Sequence, residues 1–253
     1  MSAAVHLPDL VRRALESPLT TARRMVAVAA LLKAAVVGPT LLALARPDAL
    51  RFPLEPWLPV LPGELAVPLL VGWAVLAAVF LVGRWARWVG LALTALLACV
   101  LVGDEQLYSN HLYLLTTLVA LLTLAEGRWV ARPGLLLRWQ STIVYGFAAI
   151  TKINLLYLSG SVMNAHVGRG SLLPFPDDLR TAPVMASLAV ASIVVELLLA
   201  AGLWSSRWRK ATIVLGVGFH LGIVLLIDMP VELTVFALLM FSLYVVHAAP
   251  KFP

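Results

Sequence analysis

The stretch Gln140 to Gly160, QSTIVYGFAAITKINLLYLSG, holds a single lysine, Lys152, in an otherwise apolar run of helical length. A charge at the centre of a bilayer costs between roughly 3 and 10 kcal/mol or more, so such a residue is expected to have a partner or a task. On a helical wheel Ser141, Tyr145, Ala148, Lys152 and Ser159 fall within about 60° of one another. Lipid would not satisfy this small-and-polar stripe, which is expected to face the bundle interior or a wet cavity. A lysine enclosed away from water gives up its proton more readily than one in solvent, and so becomes a base.

Three further ionisable residues lie deep in apolar runs. At about 1.5 Å rise per residue, Lys33, Glu196 and His220 each sit roughly 13 to 15 Å from the same end of their helices. They form a candidate buried polar cluster, either an ion pair with a histidine closing its lone pair, or a proton relay or substrate contact. Lys152, about 10 Å from the opposite end, is placed in a different layer. Its expected surroundings are the short loop GDEQLYSNHLYLL, which supplies Asp104, Glu105, Tyr108, Asn110 and His111 and no basic residue, with Asp228 and Glu232 adding acid nearby. Lys152 is then either a base in that cavity or a lysine paired with Asp104 or Glu105. The spacing of Asp104, Glu105 and His111 matches no metal motif, so no metal is expected, and no phosphate loop, GxSxG elbow or HExxH is present.

The elements that position these residues follow from composition. Of 253 residues 61% are hydrophobic and 13% charged, against roughly 25% charged in a soluble domain. Apolar runs near the bilayer-spanning length divide the chain into eight spans, about 24–45, 66–83, 86–103, 111–126, 138–158, 183–204, 210–227 and 231–248. The expected fold is an all-α polytopic membrane bundle. Residues 1–23 form a cytoplasmic or interfacial segment with a short helix ended by Pro18, residues 24–248 the transmembrane domain, and 249–253 a tail. The triplet Ala43-Leu44-Ala45 mimics a cleavage site, but the run before it is too long for a signal peptide and contains Lys33. Cys99, the single cysteine, excludes an internal disulfide.

The net charge of +6 does not indicate nucleic acid, because the basic residues lie between the apolar runs. With the N-terminus in the cytoplasm, thirteen Lys and Arg fall on the inner side: Arg12, Arg13, Arg23, Arg24, Arg84, Arg87, Arg128, Arg132, Arg138, Arg207, Arg209, Lys210 and Lys251. Only Arg46, Arg51, Arg169 and Arg180 fall outside. That asymmetry predicts a multi-pass protein of the cell membrane with both termini cytoplasmic.

Gln140, Ile143-Val144-Tyr145, Ala148-Ala149, Lys152, Tyr157 and Gly160 together resemble the signature helix of the vitamin K-dependent gamma-glutamyl carboxylase and its HTTM (horizontally transferred transmembrane) relatives. Asn110, His111 and Tyr113 look like the family's Asn-His segment, and Glu196, Arg209 and His220 stand at matching places in a later helix pair. The similarity runs from about residue 20 to 248. It implies that Lys152 is the base that deprotonates a reduced quinone and that His111 assists it. Two departures narrow this. Thr151 precedes Lys152 where the carboxylase has a second lysine, and Tyr157 replaces a tryptophan. No counterpart of the large lumenal domain that captures peptides is expected. The expected substrate is therefore a menaquinol-like quinol or another lipid-soluble acid, with Tyr145, Asn110, Tyr108, Asp104 and Glu105 lining the cavity. The alternative is a non-enzymatic membrane protein, binding lipid or quinone, acting in transport or serving as an accessory subunit, with Lys152 structural.

Overall fold

The computed structural model describes residues 17–127, 129, 132–168 and 170–249. Arg12, Arg13, Arg128, Arg169, Lys251 and nearly all of the flanking segments lie outside them. The described residues are helical, with no strand beyond an isolated bridge between Val167 and Ile227. Among the described residues, six helices are long and apolar enough to cross a membrane. Large apolar side chains such as Val75, Phe147 and Leu155 are exposed on the outer faces, which water would not tolerate at this density. The chain is a multi-pass membrane protein in contact with lipid.

The chain divides into two compact units, residues 1–134 with 251–253, and residues 135–250. The first holds α1 (Pro18–Ala43), α2 (Ala66–Val82), α3 (Ala86–Gly103) and α4 (Asn110–Glu126). The short helix expected before Pro18 lies outside the described residues. Pro18 opens α1, because its fixed φ and missing N–H suit the first helical turn. Within this unit α1 packs on α2 and α4, and α3 on α2 and α4. The core is alanine- and leucine-rich: Ala22, Ala27, Ala29 and Ala30 of α1 are buried, as are Leu93 and Leu97 of α3 and Leu115 and Leu118 of α4. Small residues let helices approach closely where lipid offers no hydrophobic drive between them.

The second unit holds α5 (Pro133–Thr151, from residue 135), α6 (Leu155–Leu158), α7 (Ser161–His166), α8 (Ala182–Gly202), α9 (Arg209–Leu226) and α10 (Pro230–Ala248). Here α8 packs on α9 and α9 on α10 by close backbone approach. At Gly216 of α9, any side chain would collide with the Tyr244 hydroxyl and Leu199. The short α6 and α7 lie against α8. By contrast α5 reaches its neighbours through long polar side chains.

Candidate functional site

The expected continuous helix over 138–158 is broken. α5 ends at Thr151, Lys152 and Ile153 turn, and Asn154 starts α6. Asn154 makes the break self-sufficient. Its amide donates to the Thr151 carbonyl at 3.0 Å and its Oδ1 accepts from the Tyr157 N–H at 2.9 Å, satisfying an orphan group on each side. Gly160 then turns the chain into α7 at φ 80°, where a side chain would also strike the backbone of Met185 and Ala186. Only glycine meets both demands. The break removes Ser159 from the expected stripe; it is exposed and bonds Leu156 and Ser161 locally.

Lys152 therefore sits at a helix end with room to turn inward. Its Nζ donates to Glu196 Oε1 at 2.5 Å, with Lys152 26% and Glu196 6% exposed along their side chains. This corrects the separation of the two residues into different layers. α5 and α8 run antiparallel, as the contacts Thr142 to Trp204, Lys152 to Glu196 and Tyr157 to Ser192 show by their opposite order. Side chains tilt toward the N-terminus of their own helix, so Lys152 and Glu196 lean toward each other. The Tyr157 ring lies 5.5 Å from Nζ, and its hydroxyl bonds Ser192 Oγ at 2.8 Å. Glu196 Oε2 is buried and makes no hydrogen bond. An oxygen of this kind is the natural receiver for a ligand's hydroxyl.

Along α5 from this pair, the buried Tyr145 hydroxyl bonds His220 Nε2 at 2.7 Å and the Tyr244 hydroxyl closely. Phe219, Phe236 and Phe241 surround the imidazole at ring distances of 5.6, 5.1 and 5.9 Å. Nearer the start of α5, Ser141 Oγ bonds His247 Nε2 at 2.8 Å. There Arg138 donates to the carbonyls of Val246 and Ala249 at the end of α10.

Of the expected Lys33, Glu196 and His220 cluster, the second unit holds Glu196 and His220 and gives each a partner of its own. Lys33 is buried in α1 of the first unit, Glu196 pairs with Lys152 and His220 with Tyr145. The loop residues also belong to the first unit. Asp104 is not a cavity acid: it is buried and caps the turn after α3, its oxygens accepting from Phe52 N at 3.1 Å and Gln106 N at 2.9 Å. A carboxylate one residue before a tight turn is drawn to these orphan donors. Glu105, Tyr108 and Asn110 are exposed, and His111 is half-buried in the first turn of α4, which Ser109 caps. Asp228, expected on the acidic rim, bonds His166 at 3.0 Å and so ties α7 to the turn before α10. Among the described residues no group of three or more His, Cys, Asp or Glu is arranged to hold a metal.

Sequence reading missed Tyr244, His247 and Ser192. The first two stand three apart in MFSLYVVHAA, on one helical face, and that spacing in an apolar run was their signal. Comparisons of the chain with protein-family models, with curated proteins and with solved structures gave no match.

Proposed function

We propose that the chain is an HTTM-type membrane protein of eight spans with cytoplasmic termini, and that it deprotonates a quinol-class, lipid-soluble weak acid at Lys152. The eight spans are the six apolar helices together with α4 and α5, the latter being less apolar because one face is polar. The reading rests chiefly on the Lys152–Glu196 contact, in which a buried carboxylate with one unbonded oxygen meets an amine that stays partly accessible.

The chemistry balances within the pair. Transfer of one proton from the Lys152 ammonium to Glu196 gives a neutral amine and a neutral acid, an arrangement a low dielectric favours over separated charges. The amine then takes the proton of a quinol hydroxyl, leaving a quinolate beside the regenerated ammonium. Glu196 takes the assisting place next to the base; His111, the assistant implied by resemblance, is carried on α4. The test is Lys152→Met in purified protein supplied with a menaquinol analogue. Quinol-dependent oxygen uptake disappears while the protein stays folded in detergent; unchanged uptake removes Lys152 from the role.

A second reading, that of a non-enzymatic lipid- or quinone-binding protein, draws on the shortness of the same pair, which suits a structural tie between α5 and α8. Under it, Lys152→Met lowers stability and there is no turnover to lose.

A further inference from the structure

One face of α5 presents a polar group at almost every turn, and the partners come from α8, α9 and α10. Arg138 meets the end of α10, Ser141 meets His247 of α10, Tyr145 meets His220 of α9 and Tyr244 of α10, and Lys152 meets Glu196 of α8. Ser141, Tyr145, Glu196, His220, Tyr244 and His247 are all buried. From Arg138 to Lys152 the helix rises about 21 Å, most of a hydrocarbon core of roughly 30 Å. A single tie would hold α5 in place. A full column of hydroxyl, imidazole and carboxyl groups, each able to accept a proton and release another, does more than hold it.

We propose that this column is a proton relay that joins the Lys152–Glu196 pair to the membrane face at the Arg138 end of α5. A proton accepted at one end displaces the proton already held by the next group. One proton moves across and no electron is transferred; the hydroxyls and imidazoles then reorient to restore the starting hydrogen bonds. Three steps lack a direct hydrogen bond, the last being release beyond His247, whose Nδ1 is buried without a partner. Tyr244 and His247 are one turn apart on α10, their Cβ atoms about 5–6 Å from each other. Tyr145 and the Lys152–Glu196 pair are two turns apart along α5, roughly 10 Å, and on the far side of that gap Glu196 brings a buried carboxylate oxygen with no bond of its own. Arg138, Arg209 and Lys210 mark the far end as basic, which repels excess protons and makes it an exit or a gated entrance rather than an open pore.

The relay builds on the site proposed above but is read without a quinol, so the two stand or fall separately. The purified full-length chain is reconstituted into phosphatidylcholine–phosphatidylglycerol vesicles containing pyranine, and a potassium gradient with valinomycin imposes the potential. Wild-type vesicles change internal pH faster than protein-free ones. Tyr244→Phe and Glu196→Gln each bring the rate to the protein-free level while keeping the wild-type elution profile and a cooperative melting transition above the assay temperature. Phe for Tyr retains the ring packing, so a folded variant is available. Wild-type flux equal to that of protein-free vesicles overturns the relay, as does full flux in both variants.

Discussion

The two units of this protein solve the same problem in opposite ways. In the first, helices are held by close packing of Ala, Val and Leu, and its buried polar residues are Arg23, Lys33, Asp104 and Thr123. Arg23 faces Glu126 at 3.7 Å, Asp104 caps a turn and Thr123 bonds the carbonyl one turn back. In the second, Gln140, Ser141, Ser192, Glu196, Thr212, His220, Ser242 and His247 are buried, with Tyr145, Tyr157 and Tyr244 adding hydroxyls. Many of these bonds run between helices rather than within one. Interhelical polar bonds in membranes are individually modest, so rigidity alone is a weak reason for so many. The contrast is the reason the proposed chemistry is sought in the second unit and scaffolding in the first.

The largest effect is expected where the second unit depends on a single backbone position. Gly160→Val puts a side chain at positive φ and into the Met185 and Ala186 backbone, costing about 3–5 kcal/mol. Thermal unfolding in detergent checks this. Next, Glu196→Ala removes one partner of the buried pair. The loss is about 3 kcal/mol, at the low end for buried pairs because Lys152 remains partly exposed and can turn outward. In the first unit, Asp104→Ala leaves the Phe52 and Gln106 N–H groups without their acceptor, lowering stability by about 2 kcal/mol. It is expected to leave the proposed turnover per folded molecule unchanged, and a fall in turnover would break the division of labour. The smallest effect is Tyr145→Phe, about 1 kcal/mol in melting. Combining it with Tyr244→Phe in a double-mutant cycle should give non-additive losses, since the two hydroxyls share a bond.

The positions of the long helices were legible because each apolar run near the length of the hydrocarbon core ends at a Pro, Gly or charged cluster. α3 was read as residues 86–103 and is Ala86–Gly103. The break at Lys152 was not legible by the same rule, because Asn154 sits in an apolar run and its capping role needs only three neighbouring residues. Lys152 was identified as the residue of interest from its charge. Its partner was misplaced because depth counted along straight helices ignores that antiparallel helices lean their side chains together. Asp104 was misread for the opposite reason: a carboxylate in a loop suggests a rim, and its use by two backbone donors depends on the fold of residues 52 to 106. Tyr244 and His247 share a helical face in the sequence, but nothing in their spacing says that α5 brings Tyr145 and Ser141 to them.

The most direct measurement is quinol-dependent oxygen uptake by Lys152→Arg. Arginine keeps a positive charge and can still pair with Glu196, but it does not give up its proton in proteins and so cannot serve as a base. If Lys152 is the base, the variant keeps its melting behaviour and loses uptake of oxygen with a menaquinol analogue. Wild-type uptake in Lys152→Arg would contradict the assignment and leave Lys152 as a tie between two helices.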